Sequence, residues 1–319
     1  MERNIYFDRL CRLYGKAVLE KLKAAHVLIC GLGGVGSWAA EAIARTAIGR
    51  ITLADFDIIG GTNINRQLPA LSDTIGIKKT EAMAARFRKI NPESAIKACD
   101  ICLNPSNIPN LLAESPDIVI DAIDNVTAKC FLIAHCRKNG IPIIVSCGSG
   151  GRTDPSKIKV CDLAETQNDA LARSVRYILR QKYGFPRKGR FGIQAVCSSE
   201  LPHKPFSGIN ADESRHVLPF GSLHFQGSFS SELPSGFPAP GIKSAVKSEV
   251  NAEKSENPAN SVKLGNTDSM NNNNSEMPVR RSFINGTACF VTGSFGFFCA
   301  SEAVKKIIAG IDAGSGEFI

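Results

Sequence analysis

The chain carries glycines at a spacing that suits the binding of a nucleotide phosphate. Gly31, Gly33, Gly34 and Gly36 form a Gly-x-Gly-Gly-x-Gly turn directly after the apolar run Val27–Cys30. Glycines let the backbone approach a phosphate closely, and the N-terminus of a following helix attracts the anion. Most such turns between a strand and a helix bind a dinucleotide for redox chemistry. By itself, the turn therefore predicts a nucleotide site and not yet a reaction.

Polar residues further along the chain favour a triphosphate over a nicotinamide. Asp55 lies about twenty residues beyond the glycine turn, where such a fold binds a ribose hydroxyl. The polar segment 57–67 is longer than the few residues that connect a strand to a helix in a plain redox unit. Two cations, two side-chain amides and a carboxylate suited to Mg²⁺ lie in or after this segment: Arg66, Lys79, Asn63, Gln67 and Asp124. Such a set fits the cleavage of a nucleoside triphosphate, in which positioning and charge stabilisation provide most of the catalysis.

Apolar runs that alternate with helical patterns predict the elements that position these residues. Strands are predicted over residues 27–30, 50–54, 95–101, 117–123, 141–146 and 158–163. Helices are predicted over residues 5–23, 37–47, 76–91, 105–113, 126–139 and 169–183. Strands separated by helices indicate an α/β fold with a mainly parallel sheet. Asp124 and Asn125 follow the strand 117–123, at the carboxyl edge where open α/β sheets bind ligands.

The composition divides the chain into three parts. Residues 1–201 are predicted to form the nucleotide-binding domain. Residues 202–281 are rich in Ser, Asn, Pro and Gly and include four consecutive asparagines at 271–274. Because such a segment cannot bury enough apolar surface to offset its ordering entropy, we expect a low-complexity disordered insertion. Residues 282–310 are predicted to complete the same domain with a strand over 286–291 and a helix over 294–309.

Charge and cysteine content restrict the class of protein. The 319 residues carry a formal net charge of +8, which is compatible with nucleic-acid binding, and are 43% hydrophobic, enough for a large core. No run approaches the roughly 20 apolar residues of a membrane span, and the N-terminus lacks an apolar signal segment. The eleven cysteines are typical of a reducing compartment, and the Cys99–Cys102 pair lacks the second pair of a zinc site. We therefore expect a cytoplasmic protein without membrane contact.

The combination of motifs resembles the ubiquitin-activating-enzyme-like adenylating superfamily, the group of ThiF and MoeB. That pattern consists of Gly-x-Gly-Gly-x-Gly-Ser, an acidic residue after the second strand, Asn-Arg-Gln, a lysine opening the next helix and an aspartate after the fourth strand. Within the superfamily, the chain is more similar to the tRNA threonylcarbamoyladenosine dehydratases. The matching segments are 12–15, 33–42, 65–67, 90–93, 121–124, 148–151, 162–164 and 292–296.

This resemblance implies a Rossmann-like ThiF/MoeB-type fold and an ATP-dependent ring closure on a modified adenosine beside the tRNA anticodon. The threonyl carboxylate would attack the α-phosphate of ATP and release pyrophosphate. The ureido group would then capture the acyl-adenylate, giving cyclic threonylcarbamoyladenosine and AMP. The resemblance further implies Mg²⁺ as cofactor, a homodimer, and a cysteine desulfurase and its sulfur acceptor as partners.

Roles for individual residues follow from the same resemblance. The nucleotide would be held by Gly31, Gly33, Gly34 and Gly36, and its ribose by Asp55. The triphosphate and the pentavalent phosphorus would be stabilised by Asn63, Arg66, Gln67 and Lys79. Asp124 would hold Mg²⁺, and Asp57 and Asn125 would complete the ATP-binding set. Arg9 matches an arginine that reaches the γ-phosphate in the partner subunit.

A basic segment near residue 180 is a candidate tRNA-binding surface. Residues 171–190 contain no acidic side chain, and Tyr177, Tyr183 and Phe185 lie among their cations. The seven cations are Arg173, Arg176, Arg180, Lys182, Arg187, Lys188 and Arg190. A solvated helix face is the alternative, but cations interleaved with aromatic residues fit contact with a phosphate backbone better.

Two other functions remain open from the sequence. One is an adenylyltransferase that activates a small ubiquitin-like sulfur-carrier protein, and the other is an NAD-dependent oxidoreductase. Many carrier activators have two Cys-x-x-Cys pairs for zinc and a cysteine in a crossover loop, whereas the segment 202–281 contains no cysteine. Two of the assigned roles have an alternative residue. Lys78 could bind the triphosphate in place of Lys79, but the family register favours Lys79. Asp121 could hold Mg²⁺ in place of Asp124, but its position inside a strand indicates a structural role and favours Asp124.

Overall fold

Residues 5–204 and 286–309 are described by the structure, which is a computed structural model. The predicted insertion lies outside these residues from position 205 to position 281, so its disorder stays a prediction. Within the described ranges, no helix combines the length and the apolar character that crossing a membrane requires.

A seven-stranded sheet forms the centre of the fold. Its strands are β1 His26–Cys30, β2 Arg50–Asp55, β3 Ala95–Asp100, β4 Ile118–Asp121, β5 Ile143–Ser146, β6 Ile158–Asp162 and β7 Gln194–Ser198. Their order is β3-β2-β1-β4-β5-β7-β6, and all neighbouring pairs are parallel except β6 and β7. The predicted α/β fold with a mainly parallel sheet is confirmed. The strand order reverses direction between β1 and β4, so the carboxyl ends of these two strands flank the topological switch point at which such sheets bind ligands.

Strand β7 is absent from the sequence-based prediction. It pairs in parallel with β5 and antiparallel with β6, and it lies between them although it follows both in the chain. Ala195, Val196 and Cys197 are fully buried. The short run Gln194–Ser198 contains a single β-branched residue, so the two neighbouring strands determine its conformation more than its own propensity does.

The described residues contain eight α-helices. They are α1 Asp8–Tyr14, α2 Lys16–Ala24, α3 Gly36–Ala44, α4 Lys79–Ile90, α5 Ile108–Leu112, α6 Val126–Lys138, α7 Ala170–Lys182 and α8 Cys289–Ile308. The single helix predicted over 5–23 is divided at Gly15, whose φ of +84° is a left-handed conformation that favours glycine. Helices α2, α3, α4 and α8 pack on one face of the sheet, and α5, α6 and α7 pack on the other.

The strand predicted over 286–291 is wrong. Helix α8 already begins at Cys289, and residues 286–288 form no strand. Phe290 and Val291 favour a strand locally, but the small Gly296 lets α8 lie directly on α3. A Cβ at Gly296 would come within 2.6 Å of the Val35 carbonyl oxygen. Packing of α8 against α3 therefore overrides the local preference.

Candidate functional site

The glycine turn connects β1 to α3 at the switch point of the sheet. Gly31 has a φ of +87°, and a Cβ there would lie 2.8 Å from the Ala122 carbonyl oxygen. A Cβ at Gly36 would lie 1.8 Å from the Gly31 carbonyl oxygen, a distance that no side chain tolerates. At Gly33, by contrast, a Cβ would meet no described atom within 4 Å. The turn is therefore tightly folded on itself and leaves the backbone at Gly33 open to a ligand.

Asp55 fixes this turn from the end of β2. One carboxylate oxygen accepts a hydrogen bond from the Leu32 backbone N–H at 2.5 Å, and the other accepts one from the Asp57 N–H at 2.8 Å. The side chain is nearly buried, with 9% of the residue exposed. Because each carboxylate oxygen has two lone pairs, both keep one for a further donor such as a ribose hydroxyl.

Lys79 lies at the first position of α4 and is buried. Its Nζ is 2.6 Å from Asp57 Oδ2, and its backbone N–H donates to the Asp57 carbonyl. Lys79 is 3% exposed, whereas the Asp57 side chain is 47% exposed. Lys78 points elsewhere and forms an ion pair with Asp100 at 2.7 Å. Of the two adjacent lysines, Lys79 is thus the one held among the predicted site residues.

The segment 60–67 turns back onto the glycine turn. Asn63 Oδ1 accepts from the Gly60 N–H at 3.0 Å, which closes a short 3₁₀ turn. Arg66 donates to the Thr62 carbonyl at 2.8 Å, and its Cγ lies 3.3 Å from where a Cβ of Gly34 would be. Arg66 is therefore in contact distance of the glycine turn.

Gln67 is buried, and its Oε1 has no hydrogen-bond partner among the described residues. A buried amide oxygen without a partner is costly unless a ligand or a water supplies one. Gln67 is therefore poised to accept a hydrogen bond when the site is filled.

Two further residues, Ser37 and Trp38, hold this arrangement through contacts with backbone groups. The Trp38 indole N–H donates to the Arg66 carbonyl at 3.0 Å. The Ser37 hydroxyl donates to the Gly33 carbonyl at 2.7 Å and accepts from the Leu68 N–H at 3.2 Å. Both lie at the start of α3. Ser37 is the serine of the Gly-x-Gly-Gly-x-Gly-Ser pattern, whereas no motif assigns this contact to Trp38.

Asp124 and Asn125 follow β4 on the other side of the switch point. Asp124 is exposed and makes no hydrogen bond or ion pair with another described residue. Asn125 caps α6, because its Oδ1 accepts from the Ala128 N–H at 3.0 Å. Asp121 is fully buried in an ion pair with Lys129, with a separation of 3.0 Å. Asp124 is therefore the accessible carboxylate of the two.

The carboxylates of this site could bind Mg²⁺ only together with the phosphates of a nucleotide. No group of three or more His, Cys, Asp or Glu residues within 5–204 and 286–309 is arranged to hold a metal ion. One exposed carboxylate at a nucleotide site nevertheless matches the way in which Mg²⁺ is often bound, by one or two carboxylates together with substrate phosphates and water. The site thus suits an ion delivered with ATP.

A second glycine turn, at residues 148–151, follows β5 beside β4. The buried Arg152 holds it by donating to the Gly148, Gly150 and Asn168 carbonyls, and pairs with Asp169 at 3.2 Å. Asp169 also caps α7, accepting from the Ala172 N–H at 2.7 Å. Helix α7 therefore begins at the same edge of the sheet as the glycine turn of the nucleotide site.

The structure divides the seven cations of segment 171–190 into two groups. Three are engaged within the protein: Arg176 donates to the Thr166 hydroxyl, Arg180 to the Pro186 carbonyl, and Arg190 pairs with Glu165 at 3.2 Å. Four are exposed and have no ion-pair partner among the described residues: Arg173, Lys182, Arg187 and Lys188. Phe185 is buried, so of the three aromatic residues it is not available for base contact.

Arg9 makes no polar contact with the other predicted site residues among the described residues. It is exposed on α1, and no hydrogen bond or ion pair within the described ranges connects it to the glycine turn, Asp57 or Lys79. The hydrogen bonds and ion pairs that connect the β1, β2 and α4 region thus do not include Arg9.

The buried cysteines offer no activated nucleophile. All eleven are free, and burial raises the pKa of Cys30 and Cys147 well above its ordinary value. Burial also raises the pKa of Cys130 to about 11. Because the thiolate is the reactive form, these thiols are unreactive at neutral pH.

A glycine turn at the switch point of a parallel sheet, with a buried lysine and an exposed aspartate beside it, defines a nucleotide-binding α/β protein. The chain belongs to the ThiF family, whose sequence pattern matches residues 7–315. It is 46% identical over 196 residues to tRNA threonylcarbamoyladenosine dehydratase of Escherichia coli strain K12, covering 61% of this chain and 73% of that protein. The Haemophilus influenzae protein of the same name is 47% identical over 196 residues, with 61% and 75% covered.

A crystal structure shows the same architecture. The E. coli tRNA N6-threonylcarbamoyladenosine dehydratase in complex with ATP superposes with a TM-score of 0.69 and 34% sequence identity. The alignment covers 95% of this chain and 94% of that chain. The predicted ThiF-type fold and the predicted resemblance to this group are therefore confirmed.

Proposed function

We propose that this protein is an ATP-dependent tRNA threonylcarbamoyladenosine dehydratase. The observation that carries the proposal is the assembly of the glycine turn, Asp57, Arg66 and Lys79 at one sheet edge, in a chain 46% identical to a dehydratase of that name. The alternatives receive less support. A relative whose structure contains ATP argues against a nicotinamide enzyme. Cys30 and Cys147, whose pKa is raised by burial, are poor candidates for a carrier thioester.

In the proposed reaction, the chain binds ATP and activates a carboxylate. The peptide groups of the glycine turn approach the phosphates, and Asp55 binds the ribose. Lys79 and Arg66, with the amides of Asn63 and Gln67, stabilise the charge that develops as the threonyl carboxylate attacks the α-phosphate and pyrophosphate leaves. Asp124, with Asn125 beside it, binds the Mg²⁺ that accompanies the nucleotide. The ureido group then attacks the acyl carbon, closes the ring and releases AMP.

Nucleoside analysis of treated tRNA tests this function. Purified protein, ATP and Mg²⁺ should convert threonylcarbamoyladenosine in tRNA to a product lighter by one water, with one AMP and one pyrophosphate formed per ring. Unmodified tRNA should give neither product. If the tRNA stays unchanged but a sulfur-carrier protein supports pyrophosphate exchange, the carrier-activating alternative is correct.

We further propose that α7 and the loop after it bind tRNA. Of the four exposed cations, Arg173 and Lys182 lie on α7, which begins at the sheet edge of the active site, and Arg187 and Lys188 lie in the loop that follows it. Replacing Arg173 and Lys188 with Gln should weaken tRNA binding and lower the slope of log affinity against log salt by about one per cation. The matched control is Arg88→Gln with Lys89→Gln, two exposed cations at the end of α4. An equal loss in the control pair would contradict this surface.

We also propose a homodimer in which Arg9 completes the partner's site. Support comes from exposed apolar side chains on the segment between β2 and α4, at Phe56, Ile58, Ile64, Leu71 and Ile77, and from the exposed Leu13 on the helix of Arg9. Homodimers with a twofold axis are the commonest soluble assemblies. The free cysteines support a cytoplasmic location. The cysteine desulfurase and sulfur acceptor stay expectations from the resemblance.

A mixed dimer tests the role of Arg9. The variants Arg9→Ala and Lys79→Ala should each be inactive as homodimers. A purified dimer with one subunit of each kind has one intact site if Arg9 acts across the interface, so it should show about half of the wild-type activity. An inactive mixed dimer would place the action of Arg9 within its own subunit, and light scattering checks the assembly.

A further inference from the structure

A fully buried ion pair lies directly beneath the glycine turn. Lys129, on α6, and Asp121, at the end of β4, are 1% and 0% exposed at their side chains. Asp121 is in register with Cys30, the last residue of β1 before Gly31. The pair therefore occupies the floor of the switch point, between the strand that leads into the glycine turn and the strand that leads to Asp124.

Lys129 does more than neutralise Asp121. Its Nζ lies 3.0 Å from Asp121 Oδ1, 3.0 Å from the Ile123 carbonyl oxygen and 3.4 Å from the Asp121 carbonyl oxygen. These three acceptors match the three N–H donors of an ammonium group. Since Ile123 immediately precedes Asp124, the ammonium ties down the backbone from which Asp124 projects.

The same backbone is in contact with the glycine turn. The Ala122 N–H donates to the Cys30 carbonyl at 2.8 Å, and the Ala122 carbonyl lies 2.8 Å from where a Cβ of Gly31 would be. Residue 122 is therefore fixed to the glycine turn by contacts that do not involve Lys129, so loss of the ammonium should displace the Ile123 carbonyl and Asp124 and leave the turn in place.

Stability alone does not account for this pair. A buried ion pair is often no more stabilising than well-packed apolar residues of similar volume. Asp121 Oδ2 also has no hydrogen-bond partner among the described residues, which adds a desolvation cost. An apolar pair would lack the hydrogen bonds by which the Lys129 ammonium fixes the carbonyls of residues 121 and 123.

We propose that Lys129 is a positioning residue that sets the location of Asp124 relative to the glycine turn, and so the site for the metal of MgATP. The inference rests on the proposed function only in taking Asp124 as the metal-binding carboxylate. Mutation of a residue that orients a metal-binding group typically lowers metal affinity or activity by about 10- to 100-fold. We expect an effect of that order on the Mg²⁺-dependent affinity for ATP when Lys129 is replaced.

Calorimetric titration with ATP, with and without Mg²⁺, tests the proposal without tRNA. The wild-type protein should bind ATP more tightly when Mg²⁺ is present. Asp124→Ala should lose this Mg²⁺-dependent gain in ATP affinity. Lys129→Met should lose most of the gain as well, while its affinity for metal-free ATP stays within about twofold of wild type. A Lys129→Met variant that keeps the full gain overturns the proposal, and so does an Asp124→Ala variant that keeps it. Failure of the wild-type protein to bind ATP would instead overturn the proposed function.

The double variant Lys129→Met with Asp121→Asn separates positioning from stability. It removes both charges, so the melting temperature should recover most of what Lys129→Met alone loses. The Mg²⁺-dependent gain should nevertheless stay lost, because nothing then holds the Ile123 carbonyl. Recovery of both the melting temperature and the gain would show that Lys129 is merely structural.

Discussion

The variant Lys79→Ala is expected to lower the rate of AMP formation by about a thousandfold or more. A fixed cation that stabilises charge in a phosphoryl-type transition state is worth about 10³- to 10⁵-fold in rate. The Lys79 ammonium is held within 2.6 Å of Asp57 in a buried position, so it is oriented before substrate binds and loses little freedom in the reaction. Single-turnover measurement of AMP release from threonylcarbamoyl-tRNA checks the rate.

The adjacent Lys78 provides the matched control. It is exposed and pairs with Asp100 rather than Asp57, so Lys78→Ala should keep activity within about twofold. Equal losses in both variants would refute the assignment of Lys79, as would a Lys79→Ala variant that keeps more than a tenth of the wild-type rate.

Loss of activity in Lys79→Ala should not reflect unfolding. The carboxylate left behind, Asp57, is 47% exposed on its side chain and is therefore solvated once the ammonium is gone. For a pair with one partner this exposed, we expect the free energy of unfolding to fall by about 1 kcal/mol. Urea denaturation of the two lysine variants checks this expectation.

The parts of the site that the sequence predicts are those encoded by local spacing. Gly31 and Gly36 are required because backbone atoms occupy the space of their side chains, and Asp55 reaches the turn from the neighbouring strand. The buried strands appear as short apolar runs because both faces of the sheet are covered. Lys79, which the family register favours, pairs with Asp57, whereas Lys78 pairs with Asp100.

The parts that escape prediction depend on contacts between distant segments. Strand β7 exists because β5 and β6 provide two edges for it, and α8 begins early because Gly296 fits against α3. Trp38 and Lys129 act through backbone carbonyls at residues 66 and 123. A side chain that binds a backbone group elsewhere in the fold leaves no pattern of residue types in the sequence.

In the segment 171–190, the sequence likewise does not show which cations are paired or buried in the fold. The sequence counts seven cations without an acidic neighbour, but the fold brings Glu165 to Arg190 and buries part of Arg176. Burial lowers the pKa of Arg176 from its ordinary value, with Arg180 contributing in the same direction. Exposure and the lack of an ion-pair partner among the described residues together reduce the candidate tRNA contacts to four, which the structure alone could distinguish.

The variant Asp124→Asn is expected to lose about a thousandfold in turnover while it keeps its fold. A metal ion that stabilises developing charge on phosphate oxygens is worth several kcal/mol, on the order of 10³-fold in rate. Asn keeps the size and one acceptor oxygen of Asp124 but removes the negative charge that attracts the ion. Because Asp124 is exposed and makes no ion pair with another described residue, the melting temperature should be unchanged.

The dependence on metal concentration distinguishes this role from a general loss of activity. If Asp124 binds the ion, the Asn variant should need more Mg²⁺ to reach its half-maximal rate, and added Mg²⁺ should restore part of the activity. Asp100→Asn is the matched control, since Asp100 lies at the carboxyl end of β3, on the same sheet edge but two strands from the switch point. It should respond to Mg²⁺ as the wild type does. An Asp124→Asn variant whose Mg²⁺ requirement equals that of the wild type would contradict a metal role, whatever its rate, because a carboxylate that binds the ion cannot lose its charge without changing that requirement.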